Sequence, residues 1–182
     1  MPLEPRLLAV ANFIQGETHA DIGSDHALLP KYLLEHRHIQ KAIVVEKNQQ
    51  PFNNAKAALQ GLNADVRLGD GLHPLTLNEA TSLSVTGMGA GTIVQILQAQ
   101  PERLPKKLTL QPNDNAIAIR IWAKEAGFYL KGEVMVQGFW RYSVLHFERS
   151  QGADPSYDNL PLEIALTYGP HLLREKHPLL IK

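Results

Sequence analysis

Carboxylates, glycines and amides recur in this chain at the ends of short apolar runs. The runs read Ala20-Asp21-Ile22-Gly23-Ser24-Asp25-His26, Ile43-Val44-Val45-Glu46, Gly69-Asp70-Gly71, Thr86-Gly87-Met88-Gly89-Ala90-Gly91 and Leu110-Gln111-Pro112-Asn113. In an open α/β sheet a ligand lies across the carboxyl ends of the strands, so this series builds one site from several loops. Glu46 stands 23 residues after Gly23. That is the spacing of an acid that holds a ribose diol, and a carboxylate can accept from both hydroxyls at once; an exposed acid closing a strand is the alternative. Asp70 lies between two glycines, which lets the backbone approach a planar base while the carboxylate accepts an amino hydrogen. The same three residues also suit a plain turn. Gly87, Gly89 and Gly91 permit a tight turn and close backbone contact with a ligand, or make a flexible strand-to-helix turn. Gln111 and Asn113 carry amides that both donate and accept, as recognition of a base edge requires; a Pro-Asn turn opening a helix is the alternative.

The first run narrows the ligand class. A dinucleotide fingerprint needs glycine two residues after Gly23, and Asp25 stands there instead. A carboxylate at a helix N-terminus repels a pyrophosphate. A cofactor with a cationic sulfonium and no phosphate suits the acidic loop better. Ser24 or Asp25 could equally cap the helix that follows. His26 is either an acid/base group or a polar residue of a first helical turn.

The elements that position these runs follow from periodicity. Leu3, Leu7, Leu8, Val10, Ala11 and Ile14 recur at helical spacing, so residues 3–15 read as an amphipathic lead-in helix. Strands are expected at 19–22, 42–46, 65–68, 83–86 and 107–110. Helices follow from Leu28, from Pro51 to Leu59, around Ile93–Leu97 and over 116–126. Residues 128–137 and 140–148 then read as two longer strands joined at Gly138, an antiparallel hairpin. Alternating β and α units with a closing hairpin predict a doubly wound α/β sheet with an antiparallel edge. Residues 1–149 form the expected ligand-binding domain. Residues 150–182 read as a linker, rich in Gly, Asp, Pro, Ser and Asn, and the start of a helical extension.

Composition bounds the function. The chain has 182 residues, 44% of them hydrophobic, enough for one domain with a sizeable core. It has no cysteine, which excludes disulfides, thiolate metal sites and cysteine nucleophiles. Lys+Arg and Asp+Glu number 18 each, so any nucleic-acid footprint is a local patch. Lys31, Arg37, Lys41, Arg103, Lys106, Lys107, Arg141 and Arg174 are the candidates for it. No apolar stretch approaches the roughly 20 residues of a membrane span. A cytoplasmic monomer without a metal is expected. Ser84 and Ser143 lack a G-x-S-x-G context, so a hydrolase triad has no support.

The run from Asp21 to Pro30, with Gly69-Asp70-Gly71-Leu72, Gly87-Met88-Gly89 and Leu110-Gln111-Pro112-Asn113, resembles the bacterial TrmK family. The resemblance extends from about residue 3 to Tyr168-Gly169-Pro170 and Leu172-Leu173-Arg174-Glu175-Lys176. It implies a class I methyltransferase, a Rossmann-like fold of seven strands. It implies S-adenosyl-L-methionine as cofactor, and methylation of N1 of the adenine at position 22, in the D-arm of tRNA. Asp21, Gly23, Ser24, Glu46, Asp70, Gly71 and Gly87 would then hold the cofactor. Asp25, His26, Gln111 and Asn113 would face the target base. The chain departs from the family's pattern at Leu28, where Tyr is usual, and at Ala90, where a third glycine is usual. It also stops near where a C-terminal helical domain would begin, so a truncated extension is expected. A methyltransferase for a small molecule and a cofactor-binding module without transfer activity are the competing readings.

Overall fold

The computed structural model describes residues 3–24 and 26–180. Seven strands form one sheet: β1 (Gly16–Ile22), β2 (Ile39–Glu46), β3 (Ala64–Leu68), β4 (Ser82–Met88), β5 (Lys107–Pro112), β6 (Phe128–Gln137) and β7 (Arg141–Arg149). Their spatial order is β3-β2-β1-β4-β5-β7-β6. The first five are parallel, and β7 pairs antiparallel with both β5 and β6. The order reverses direction between β1 and β4, which is the place where such sheets bind ligands.

Seven helices accompany the strands: α1 (Pro5–Ala11), α2 (Leu28–Glu35), α3 (Gln49–Ala58), α4 (Ala90–Ala99), α5 (Ile117–Glu125), α6 (Leu162–Tyr168) and α7 (Pro170–Arg174). The lead-in helix is shorter than its 3–15 periodicity predicts. It stops at Ala11, and Phe13 and Ile14 bond back to Val10 and Ala11 in a closing turn before β1. Pro30 and Pro51 both sit at the third position of their helices, where no intrahelical N–H is missed.

Strand alternation divides the core in two. On one face Ile22, Ile43, Val45, Leu83, Val85, Leu108 and Leu110 pack under Ile93 and Leu97 of α4 and Ile119 and Trp122 of α5. On the other face Ala42 and Val44 meet Val10 and Ala11 of α1, Leu29 and Leu33 of α2, and Ala55 of α3. The second face also carries a buried polar row. His19 Nδ1 and Nε2 lie 2.8 Å from the hydroxyls of Ser82 and Ser84, and Ser84 donates to Asp21 at 2.5 Å. The row continues through Thr109, bonded to His146 Nδ1 at 3.1 Å, with His146 stacked on Phe13.

Residues 150–180 lie against the sheet edge. Arg120 of α5 and Glu133 of β6 are a fully buried ion pair at 2.8 Å. Arg120 also donates to the carbonyls of Leu166 and Thr167, and Glu133 accepts the backbone N–H of His171 at 2.9 Å. Gly169 has φ +94°, and a Cβ there would lie 2.5 Å from the Glu133 carboxylate. Between β7 and α6, Asp154, Ser156 and Tyr157 are buried. Asp154 accepts from the N–H of Leu130 at 2.8 Å. The segment is therefore docked along its length by the buried pair and its own carboxylate.

Candidate active site

The carboxyl ends of β1, β2 and β3 frame a cleft of about 530 Å³. Gly23, Glu46, Asp70 and Gly71 line it, as the series of strand ends predicts. Val45, Pro51, Leu72 and Ile96 supply apolar walls. Glu46 ends β2 and is buried, 4% exposed. Its carbonyl accepts the N–H of Gly69, which draws the third strand end beside it. Asp70 stands on the open rim and pairs with Lys47 at 2.9 Å. Both side chains are well exposed, so the pair orients the carboxylate and adds little stability.

Gly23 has φ +72°. A Cβ at that position would fall 2.1 Å from the Met88 methyl carbon. The β1 end is thus closed to any side chain, and Met88 of β4 packs on bare backbone. Met88 lines the cleft too, which its sequence context did not single out. His73, Thr92 and Gln95 were missed in the same way. They sit in a loop and a helix with no motif of their own.

Asp21 does not reach the cleft. It is buried beneath it, 1% exposed, and burial pushes its carboxyl above the ordinary range. Burial drives the pKa of neighbouring His19 down to about 3, so that ring is neutral near pH 7. Ser24 is partly buried beyond Gly23 and does not line the cleft. Asp25 lies outside the described residues. His26 is exposed and lines neither the cleft nor its neighbour.

A second pocket, of about 350 Å³, adjoins the ends of β4 and β5. Gly87 lines this pocket rather than the cleft, although it was grouped with the cofactor residues. Gly87 has φ +77° and sits where the β4–β5 register shifts, between Thr86 and Met88. That bulge turns consecutive residues to different cavities, Gly87 to the pocket and Met88 to the cleft. Asn113 is exposed on the pocket wall and donates through Nδ2 to the Gly87 carbonyl at 2.7 Å. This fixes the amide, and Gln111 Nε2 approaches its Oδ1 at 3.5 Å, a long contact that leaves the oxygen a second lone pair.

Gln111 behaves differently from Asn113. It was expected in the loop after the fifth strand and facing a base. The strand runs on to Pro112, and Gln111 is fully buried within it. Its Oε1 accepts from Arg6 Nη1 at 2.5 Å, and its Nε2 donates to the Pro112 carbonyl. Gln111 thus braces the loop that carries Asn113. Arg6 comes from α1, also contacts Glu4 at 3.2 Å, and lies 5.6 Å over the Tyr142 ring in the second pocket. Asp114 adds a cap that local sequence hides, accepting the Ala90 N–H of α4 at 2.7 Å.

Several of the basic residues set aside for a phosphate patch have structural tasks. Arg103 donates to the carbonyls of Leu72 and His73, and Arg174 to those of Ser156 and Asp158. Lys107 lies 3.9 Å from Glu148.

The family described as TrmK, tRNA (adenine(22)-N(1))-methyltransferase, matches residues 19–182. The chain belongs to the TrmK family. It is 37% identical over 190 residues to the tRNA (adenine(22)-N(1))-methyltransferase of Bacillus subtilis, covering all of this chain and 79% of that protein. The crystal structure of B. subtilis TrmK superposes with a TM-score of 0.92 at 36% identity, over 98% of this chain and 79% of that one. A Streptococcus pneumoniae protein solved with S-adenosyl-L-methionine gives a TM-score of 0.87 at 29% identity, over 99% and 85%. M. capricolum TrmK, solved with S-adenosyl-homocysteine, gives 0.80 at 26% identity, over 90% and 74%. The seven-stranded order with its antiparallel β5-β7-β6 edge is therefore the TrmK architecture that the sequence resemblance implied. No described helix is long and apolar enough to cross a membrane.

Proposed function

We propose that this chain transfers a methyl group from S-adenosyl-L-methionine to N1 of adenine 22 in tRNA, with the cofactor in the β1–β3 cleft and the base at the β4–β5 pocket. One observation carries the division of labour. Consecutive residues line two cavities: Met88 the one lined by Glu46 and Asp70, Gly87 the one lined by Asn113.

The cleft's residues fit this cofactor. Glu46 offers a buried carboxylate to a ribose diol, and Asp70 a rim carboxylate to an adenine amino group. Val45, Pro51, Leu72 and Ile96 suit the faces of a purine. Gly23 and Gly71, both at positive φ, expose backbone to a close-lying ligand. Asp21 and Ser84 support the β1 end from below as positioning residues. When bound, S-adenosyl-L-methionine supplies an electrophilic methyl group on a positively charged sulfur.

The chain's remaining task is alignment. Adenine N1 carries a free lone pair, so no side chain has to remove a proton first. Holding N1 in line supplies most of the rate gain. The second lone pair of Asn113 Oδ1, beside its 3.5 Å contact with Gln111 Nε2, is an acceptor matched to the adenine 6-amino group, whereas the O6 of guanine would meet it lone pair to lone pair. The N1 edge is paired in a duplex, so the base must leave its stack to reach the pocket. Asp25, by its place in the sequence, is assigned to the positive charge that N1 methylation leaves on the ring. The working unit in this reading is a monomer, and tRNA as substrate fits an activity in the cytoplasm.

The test is transfer from labelled cofactor to unmodified bacterial tRNA, followed by digestion to nucleosides. The expected product is 1-methyladenosine, lost when guanine replaces adenine 22. Label in another nucleoside, or none in a protein that binds the cofactor, would overturn the assignment.

A further inference from the structure

The β6–β7 hairpin ends in Gly138-Phe139-Trp140, and two large aromatic rings stand in solvent there. Phe139 is 87% exposed and Trp140 64%. Their rings meet edge to face, with centroids 5.2 Å apart. Folding does not need them in the core, and burial does not explain them.

The tip has a defined shape. The Gly138 N–H donates to the Trp140 carbonyl at 2.8 Å, and the Gln137 amide donates to the Gly138 carbonyl at 2.9 Å. A Cβ on Gly138 would press to 3.0 Å from the Tyr142 ring. Arg141, next in sequence, donates to the Leu179 carbonyl at 2.8 Å, which ties the tip to the docked C-terminal segment. The rings are therefore presented by a braced turn.

Their position points to an occupant. Phe139 and Tyr142 line the same pocket as Gly87 and Asn113, with Arg6 in its wall. Phe139 thus lines the cavity assigned to the target base, and Trp140 extends its aromatic surface into solvent beside it. Aromatic faces beside a guanidinium are the chemistry of unpaired nucleotides, whose bases stack while cations meet the phosphates. An adenine drawn out of its stack leaves neighbouring bases exposed, and these need a surface that replaces their lost partner.

We propose that Phe139 and Trp140 are a stacking platform for a nucleotide flanking the target adenine, and so are specificity-determining residues for the tRNA. The proposal rests on the reading of this chain as a tRNA methyltransferase. The platform selects an unstacked RNA strand rather than a free nucleoside, and Asn113 then reads the base.

The experiment compares wild type, Phe139→Ala/Trp140→Ala and Phe139→Tyr/Trp140→Tyr with unmodified tRNA as substrate. The alanine pair is expected to raise KM for tRNA about tenfold or more, in line with losing base stacking on aromatic rings. Its S-adenosyl-L-methionine affinity and melting temperature should match wild type, since both rings are exposed and outside the cleft. The tyrosine pair should restore most of the loss. Trp140 fluorescence should be quenched by tRNA in the wild-type protein. An active wild type with an alanine pair of unchanged KM overturns the platform alone. The same holds if the alanine pair changes only the oligomeric state, which would make the tip a self-association contact. A wild type that binds cofactor yet methylates no tRNA overturns the underlying reading instead.

Discussion

The two faces of the central sheet are filled by different chemistry. Toward α4 and α5 the central strands present Ile22, Ile43, Val45, Leu83, Val85, Leu108 and Leu110, aliphatic and close-packed. Toward α1 the same strands present His19, Asp21, Ser82, Ser84, Thr109 and Gln111, each buried and each bonded to a neighbour or to Arg6. Buried polar groups cost stability unless they are satisfied, so this row adds nothing that an apolar row could not exceed. What it adds is direction. It lies directly under the β1, β4 and β5 ends, where Gly23, Gly87 and Asn113 meet the two cavities. Hydrophobic clusters on both faces sustain the fold, and the polar row on the second face sets the loop ends.

That contrast can be broken most severely on the apolar side. Leu110→Ala leaves a void between β5 and the helices and should cost about 2–5 kcal/mol in denaturant melts. The loss should be the same at pH 7 and pH 5, because no titrating group is touched. A loss under about 1 kcal/mol would mean that this face is not the close-packed half.

The polar face should respond to acid instead. His19 is held at about 3 in the folded chain against 6.5 for an ordinary histidine. The unfolded chain therefore binds the proton first, and stability is complete above pH 6.5 and falls as pH drops toward 3. Between pH 6.5 and pH 5 this one group should cost about 2 kcal/mol. His146, also lowered by burial, acts in the same direction. Asp21 acts oppositely: its folded pKa is raised, so its penalty is relieved as pH falls through that value toward 3.8. His19→Asn should flatten the pH 5 to pH 7 difference in melting temperature relative to wild type, whatever its effect on absolute stability. An unchanged difference would remove His19 from the account.

A smaller change sharpens the split between scaffold and site. Glu46→Ala should weaken S-adenosyl-L-methionine binding by about 1–2 kcal/mol by calorimetry. Turnover at saturating cofactor should be largely kept. Equal affinity would take Glu46 off the ribose.

Much of this was legible in the residues. Parallel strands buried on both faces read as continuous apolar runs, so Ala42–Glu46 was evident, and Gly-rich or acidic strand ends marked the cleft. The hairpin followed from two long alternating segments around Gly138. The helix ends were less clear, because Phe13 and Ile14 keep the apolar pattern after the helix has stopped. The role of Gln111 was hidden for a different reason. Its partner Arg6 is 105 residues away, and no local pattern reports a contact at that separation. The separation of Gly87 from the cleft was hidden likewise, since it depends on a register shift against β5. Sequence located the strand ends; only tertiary pairing decided which side chain faced which cavity.

The central claim is that donor and acceptor occupy different cavities on either side of Gly87-Met88. Asn113→Ala tests it most directly, with S-adenosyl-L-methionine affinity and turnover on unmodified tRNA measured on the same preparation. The account predicts a cofactor Kd within about twofold of wild type and a fall of about 10²–10³ in turnover, the cost of losing one aligned polar contact at the reacting base. Full turnover, or a cofactor affinity that falls together with the rate, would contradict it.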